Sequence, residues 1–392
     1  MKEIASKTVY IGVDDLDLDL FEGQYIVPEG ISYNSYLILD EKVAVMDTVD
    51  ARKGEEWLAN LGVALGGRRP DYLVVHHLEP DHSGMIEKLL EIYPEIRIVA
   101  GAKALQMLPQ FMDKPFEGIA IKEGDSLDLG EHSLSFYGAA MVHWPEVMVS
   151  FDKATGVLFA ADAFGKFGAL SKCGFYYKDD GDWACEARRY YFNICGKYGV
   201  PVQNLLKKAL ALPIEKIAPL HGPILSDGKQ ECIALYQTWS SYGVETEGIF
   251  VAYASIHGGT AEVAERLAEI LKAKGCPKVA ISDLCRDDMA EAVEDAFRYG
   301  KMVLAAASYD GGLFTPAYNF LHTLQMKAWQ KRKVALIENG SWAPSAAKVM
   351  KEMFGAMKEV EIVGETVTIR SRMHASDESA LEALAAAILQ AS

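Results

Sequence analysis

No two of the six cysteines (Cys173, Cys185, Cys195, Cys232, Cys276 and Cys285) form a Cys-x-x-Cys pair. That excludes a rubredoxin-like iron centre and a zinc ribbon, both of which need paired thiolates at close spacing. Thiols scattered without a framework are expected as buried, reduced side chains in a cytoplasmic protein. No apolar run approaches membrane-spanning length, and Met1-Lys2-Glu3-Ile4-Ala5-Ser6 holds no apolar signal-peptide segment. Positive charge is also scarce. The 39 Lys and Arg face 55 Asp and Glu, a formal net charge of −16, which argues against nucleic acid and anionic membrane as partners. Internal repeats and low-complexity segments are absent. What is present is apolar residue: half of the 392 positions are hydrophobic, enough for two domains, each with its own core.

The densest chemistry lies in His77-Leu78-Glu79-Pro80-Asp81-His82, four potential metal ligands in six positions. It follows the apolar run Tyr72-Leu73-Val74-Val75, which reads as a buried strand ending near His76. Pro80 forbids a regular strand and disfavours a helix, so the stretch is expected as an extended loop at a strand's C-terminal end. Ligands alternating along such a loop splay to two sides, His77 and Glu79 towards one ion, Asp81 and His82 towards a second. A mixed imidazole and carboxylate set suits iron or manganese better than an all-imidazole zinc position does, although zinc also accepts carboxylates.

The rest of the first half reads as short strands with a few helices. Strands are expected at Thr8–Gly12, Gln24–Val27, Ser35–Leu39, Val43–Asp47, Ile96–Ala100, Gly118–Ile121, His132–Tyr137, Val147–Asp152 and Val157–Ala160, and helices at Lys53–Leu61, Met85–Ile92 and Ala102–Met112. The pattern suggests two sheets flanked by helices. His143, Asp162 and His221 each stand where such a strand gives way to a loop, the edge on which α/β folds build sites. Asp162 is the natural bridge, since one carboxylate can offer an oxygen to each ion. His76 points away from His77 if the strand continues and is expected to pack beside the site. His132 reads as a turn residue. The aromatic segment Ser171–Tyr198 fits core and interface packing, or a wall of a substrate channel.

A polar stretch between Trp239 and Gly248 reads as a linker, dividing the chain into residues 1–246 and 247–392. Beyond it strands alternate with helices: Ile249–Ala254, Lys278–Leu284, Met302–Ala307, Lys333–Glu338, then Glu361–Val363 or Val367–Ile369, with helices at Thr260–Ala273, Met289–Arg298, Ala317–Lys327, Pro344–Met357 and Glu378–Ala391. This is a doubly wound parallel sheet of flavodoxin type. Its first turn, Ser255-Ile256-His257-Gly258-Gly259-Thr260, lets backbone N–H groups approach a phosphate at a helix N-terminus. It lacks the Gly-x-Gly-x-x-Gly of dinucleotide binders, so a mononucleotide fits better. Ser308-Tyr309-Asp310-Gly311-Gly312 and Asn339-Gly340-Ser341-Trp342 fall at the ends of the third and fourth strands. There Tyr309, Phe314 or Trp342 either covers the face of a ring or packs the loop. His257 either adds charge to the phosphate or is simply exposed.

The set His77-x-Glu79-x-Asp81-His82, His143, Asp162 and His221 resembles the di-iron site of the flavodiiron proteins, or A-type flavoproteins. The words Ser32-Tyr33-Asn34-Ser35-Tyr36, Met46-Asp47-Thr48-Val49, His143-Trp144-Pro145 and Ala161-Asp162-Ala163-Phe164-Gly165 fit as well. The resemblance covers essentially the whole chain. It implies a metallo-β-lactamase-like αββα sandwich before the flavodoxin-like sheet, one iron on His77, Glu79 and His143, another on Asp81, His82 and His221, and Asp162 between them. It further implies FMN on the second domain, and reduction of O2 to water or of NO to N2O with electrons passed from FMN to two iron ions. A head-to-tail homodimer, or a dimer of dimers, would bring one chain's FMN beside the other's irons. The chain stops soon after its last helix, so the expected electron donor is a separate protein such as rubredoxin or a flavin reductase. One departure is Glu22 in Phe21-Glu22-Gly23, where several members carry a His near the substrate pocket. Two other readings stand beside this one. A dizinc hydrolase fused to a flavodoxin would want His in place of Glu79. A plain electron-transfer flavoprotein would not need all seven ligand candidates.

Overall fold

The computed structural model describes residues 2–178 and 182–391, so residues 179–181 of the aromatic segment lie outside it. The chain divides into two compact units, Met1–Tyr191 with Val200–Gln237, and Phe192–Gly199 with Thr238–Ser392. Among the described residues no helix is long and apolar enough to cross a membrane.

The first unit is built on two sheets. One has seven strands in the order Lys2–Ala5, Thr8–Tyr10, Tyr36–Leu39, Val43–Met46, Tyr72–Val74, Arg97–Gly101 and Glu117–Ile121. Its first four strands pair antiparallel and its last four run parallel. The other sheet has five strands, Ser126–Asp128, Ser133–Gly138, Met148–Asp152, Val157–Phe159 and Lys216–Ala218. Tyr36, Ile38, Ala44, Met46, Tyr72 and Val74 alternate along the first sheet and join Leu134, Phe136, Met148, Val157 and Phe159 of the second in one buried cluster. Period-two alternation thus places one face of each sheet against the other. Leu37, Val45 and Leu73, on the opposite face of the first sheet, are fully buried too, and the helix Gly54–Leu65 packs against Tyr36–Leu39. Large residues buried on both faces stabilise each strand by roughly 1.5–3 kcal/mol per side chain. This is the expected sandwich of two sheets with helices outside.

The second unit is a parallel sheet in the order Val279–Asp283, Thr246–Ala254, Tyr299–Tyr309, Arg332–Asn339 and a fifth position. Two short strands share that fifth position. Val360–Ile362 pairs with Arg332–Val334, and Val367–Ile369 with Ile337–Asn339. The two alternatives read from the sequence are therefore both strands, joined by a turn through Gly364, whose φ is +71°. Helices Gly259–Ala273, Met289–Arg298, Thr315–Met326, Ala346–Gly355 and Glu378–Gln390 follow the strands, the doubly wound arrangement expected.

Two expectations need correction and one needs an addition. Residues Pro80–Ser83 form a helical turn rather than an extended loop, because Pro80 sits at its first position, where a missing N–H costs nothing. His132 does lie in the turn between the paired strands Ser126–Asp128 and Ser133–Gly138, its carbonyl accepting from the Leu129 N–H at 2.9 Å, but it is more than a turn residue. It is buried, with Nδ1 2.9 Å from Asp152 Oδ2 and its N–H donated to Asp40. Of the six cysteines only Cys195 and Cys232 are buried, the other four being half-buried.

Candidate metal centre and phosphate-loop edge

The strand Tyr72–Val74 delivers the ligand-rich stretch to the C-terminal edge of its sheet. There Asp47 catches it: the His76 N–H donates to Asp47 Oδ1 at 2.7 Å, and His76 Nδ1 lies 2.5 Å from Oδ2. His76 Nε2 meets Ser150 Oγ at 2.7 Å, so His76 is the packed neighbour expected and not a ligand. The Thr48 N–H and hydroxyl both donate to the His82 carbonyl, at 2.9 and 2.8 Å. The turn Glu79–Ser83 then points Asp81 and His82 to one side while His77 and Glu79 keep the other.

The remaining ligand candidates arrive on loops that are clamped in the same way. Asn34 Nδ2 donates to the carbonyls of Pro219 and Gly222 at 2.9 and 2.8 Å, and Tyr36 Oη to that of Pro219 at 2.8 Å. His221 Nδ1 donates to the Ser32 carbonyl at 2.7 Å. Asp47, Met141, Ala161 and Phe164 all hold positive φ, 54°, 65°, 50° and 67°. Such non-glycine outliers cost on the order of 1–3 kcal/mol and gather where a scaffold fixes a functional side chain.

Two groups result, His77, Glu79, His143 and Asp162, and Asp81, His82 and His221, each with one atom per residue within 4.8 Å of the others. In the first, His77 Nε2 lies 3.2 Å from Glu79 Oε2 and 3.5 Å from Asp162 Oδ2. His143 Nε2 lies 3.0 and 3.1 Å from the same two oxygens. In the second, His82 Nε2 is 3.1 Å from His221 Nε2, and His221 Nε2 is 3.2 Å from Asp81 Oδ2. Asp162 joins the groups, with Oδ2 towards His77 and His143, and Oδ1 3.1 Å from His82 and 3.8 Å from His221. All seven side chains expected as ligands are thus brought to one place.

The electrostatics fit cations. Burial works against charge on these groups, yet proximity wins. The hydrogen bonds of Glu146 and Glu79 and the charge of Asp162 hold His77 well above the usual imidazole range. Asp162 and Glu79 raise His143 to about 9. Burial also pushes Glu79 up, but His143 and His77 bring it down to about 2. His82, His143 and His77 hold Asp162 well below the carboxylate range. Protons are drawn onto the imidazoles by a field that a metal would satisfy better. Asp81 Oδ1 is buried with no hydrogen-bond partner among the described residues, and Asp81 Oδ2 and Asp162 Oδ1 face only the ring nitrogens of His221 and His82, a costly state unless a cation is coordinated. Imidazole with carboxylate, two groups sharing one bridge, suits a pair of divalent ions. Around them stand rings: Phe21, Tyr33 and Tyr190 lie 5.4, 6.0 and 5.6 Å from the His221 ring, and Trp144 5.3 Å from His77. The Leu20–Ile26 hairpin thus turns Phe21 inward, while Glu22 at its tip is exposed and accepts from Gln24.

In the second unit, Ser255–Thr260, Ser308–Gly312 and Asn339–Trp342 all lie at the C-terminal ends of neighbouring parallel strands. The Gly258 N–H donates to Ser255 Oγ at 3.1 Å and the helix begins at Gly259. Ser308 Oγ accepts from the N–H groups of Ser345 and Ala346. His257 is exposed, as are Ile256, Tyr309 and Trp342, the last at 89%. Sequence reasoning missed a fourth loop. Asn339 bonds both the N–H and the carbonyl of Ser371 at 3.0 Å, and Ser341 Oγ meets Ser371 Oγ at 2.7 Å. This brings Ser371 so close to Gly259 that a Cβ there would lie 2.1 Å from its carbonyl oxygen. Glu146, which holds His77 at 2.8 Å, was missed as well. A carboxylate after Trp-Pro carries no signal of its own.

Residues 31–222 match the family model described as "ODP family beta lactamase". The chain is 30% identical over 369 residues to a protein named "Nitric oxide reductase" in Moorella thermoacetica, covering 91% of this chain and 90% of that one. It is 30% identical over 367 residues to "Putative diflavin flavoprotein A 1" of Nostoc sp.. That match takes in 92% of this chain but 62% of the relative, so the chain spans less than two thirds of the Nostoc protein. Among solved structures, rubredoxin oxygen:oxidoreductase from Desulfovibrio gigas aligns with a TM-score of 0.92 at 24% identity, over 99% of this chain and 97% of that one. At that identity the likeness speaks for the fold, a metallo-β-lactamase-like unit followed by a flavodoxin-like one.

Proposed function

The chain belongs to the flavodiiron protein family, and we propose that it reduces a diatomic gas, O2 to water or NO to N2O, at two irons supplied with electrons by FMN. We assign one iron to His77, Glu79 and His143, the other to Asp81, His82 and His221, and the bridge to Asp162. The observation that carries this reading is the orientation of Asp162, one oxygen towards each group. Bound iron would supply single-electron redox chemistry, and bound flavin would turn paired electrons into single ones. The chain's own residues do the rest. Glu79, Asp81 and Asp162 contribute negative charge that favours higher metal charge, where a third imidazole would not. Phe21, Tyr33, Tyr190 and Trp144 keep bulk water from the site and present an apolar wall suited to an uncharged gas. Tyr33 stays protonated, since burial first, then the nearby carboxylates, raise its phenol.

For FMN, Ser255–Thr260 offers its backbone N–H groups to the phosphate, while Ser308–Gly312 and Asn339–Trp342 line the ring. Exposed Tyr309 and Trp342 suit an aromatic ligand. We place the functional boundary between residues 246 and 247. A head-to-tail homodimer would cover Trp342 and Tyr309 on one chain and the exposed Leu16, Leu20 and Ile26 on the other. The donor would be a separate rubredoxin or flavin reductase, and the compartment the cytoplasm.

The test is the iron and FMN content of purified protein, then anaerobic reduction and turnover with O2 and with NO on the same sample. Two irons and one FMN per chain with gas consumption are expected. Two zincs with thioesterase activity would instead support the hydrolase reading, against which Glu79, 3.0 Å from His143, stands as a carboxylate in place of His. An active monomer in size-exclusion chromatography would remove the dimer.

A further inference from the structure

The two groups of ligands are held differently from behind. Glu146 is buried, and its Oε1 accepts from His77 Nδ1 at 2.8 Å and from the Leu78 N–H at 3.0 Å. Its Oε2 is also buried and has no hydrogen-bond partner among the described residues. Glu146 follows His143 by three positions, so one carboxylate ties together the two loops that supply the His77, Glu79 and His143 group. Among the described residues nothing equivalent stands behind the other group. His221 Nδ1 donates to a neutral carbonyl, that of Ser32 at 2.7 Å, and His82 Nδ1 has no partner among the described residues.

From this asymmetry we infer that Glu146 is a positioning residue that makes the two metal positions unequal. The inference rests on the di-iron reading above. A carboxylate behind Nδ1–H fixes the tautomer that turns the Nε2 lone pair to the metal, and it strengthens the ring as a donor. It also places a fourth carboxylate beside one group alone, after Glu79, Asp81 and Asp162. In a buried site such a charge is poorly screened and favours the more highly charged metal. Iron bound on the His77 side would therefore be the harder of the two to reduce. With iron bound at both positions, the residues on the His77 side would hold the ferric state more strongly, so a first electron delivered from outside the centre would settle on the side of Asp81, His82 and His221. No bond is made or broken in that step.

The test uses holoprotein carrying FMN and iron. Glu146→Gln keeps the shape and an acceptor but loses the charge, and Glu146→Asp keeps the charge. Stepwise anaerobic reduction is followed by electron paramagnetic resonance of the half-reduced centre, and a chelator challenge follows iron loss. Glu146→Gln is expected to accumulate several-fold less half-reduced centre. It is also expected to release one iron of the two about tenfold faster, at the low end of the 10–100-fold range for partners behind a ligand. Glu146→Asp is expected to recover both properties at least in part. A Glu146→Gln protein with two irons, an unchanged half-reduced signal and unchanged release would overturn the inference while leaving the di-iron reading intact. So would loss of both irons together, which marks a merely structural role. Wild-type protein that binds no iron would remove the reading itself.

Discussion

The ligand cluster of the first unit and the loop edge of the second meet opposite requirements. His77, His82 and His221 are fully buried and Asp162 nearly so, on segments fixed by hydrogen bonds or strained turns. At the loop edge Ile256, Tyr309 and Trp342 stand 38%, 49% and 89% exposed. A cation needs charged atoms at fixed positions, and burying those charges must be compensated by the scaffold before the metal arrives. A flat nucleotide needs unblocked backbone N–H groups and surfaces to stack on, which a parallel sheet supplies at its C-terminal edge by topology alone. The first site therefore depends on side-chain identity, the second on the absence of side chains at particular glycines.

The comparison is broken most severely by Asp162→Ala. Removing the oxygens that face both groups is expected to strip iron from the protein and lower gas turnover by more than about 100-fold, the top of the range seen for partners behind a ligand. Flavin absorbance should be unchanged, and a parallel loss of FMN would show the two sites to be one cooperative structure. The converse is Gly259→Val. A Cβ would lie 2.1 Å from the Ser371 carbonyl oxygen, so the phosphate loop must shift. FMN affinity, read by fluorescence titration, is expected to fall by about tenfold, or ~1.4 kcal/mol, with iron content intact.

A pH series sharpens the contrast. In metal-free protein His143 is raised to about 9 from an unfolded value of roughly 6.5. Its contribution to stability is full below about 6.5 and is lost as pH climbs towards 9. Glu79, lowered to about 2, contributes above about 4.5 and loses that contribution only as pH falls towards 2. Metal-free protein is thus expected to lose a few degrees of melting temperature between pH 6.5 and 9. Iron-loaded protein, whose imidazoles carry metal instead of protons, should not, and calorimetry on both forms checks the sign. The smallest effect belongs to Trp342→Ala. With 89% of the residue in water, stability should change by less than about 0.5 kcal/mol, while FMN affinity drops by a few-fold.

What the sequence disclosed follows the same division. The seven ligand candidates were legible because metals accept few atom types, and four of them crowd into six positions. The glycine loops were legible because strand and helix periods placed them at one sheet edge. Residues whose role comes from a long-range partner were not. His132 reads as a turn residue, which it is, but not as a buried one held by Asp152 and Asp40, 20 and 92 positions away. Glu146 meets His77 across 69 positions. The Ser371 loop touches Gly259 through its backbone, which no residue type announces. Pro80 misled for a different reason. Its ring excludes a helix interior but suits a helix start, and only the fold decides which one it occupies.

Trp342 has one more consequence. Trp57, Trp239 and Trp329 are at most 1% exposed and Trp183 3%, whereas Trp342 stands almost wholly in solvent at the edge proposed for flavin. Its indole should emit at longer wavelength than those in the interior, and an isoalloxazine docked against it would quench that red component selectively. The molecule carries its own optical gauge of cofactor loading, readable in a cuvette without a label.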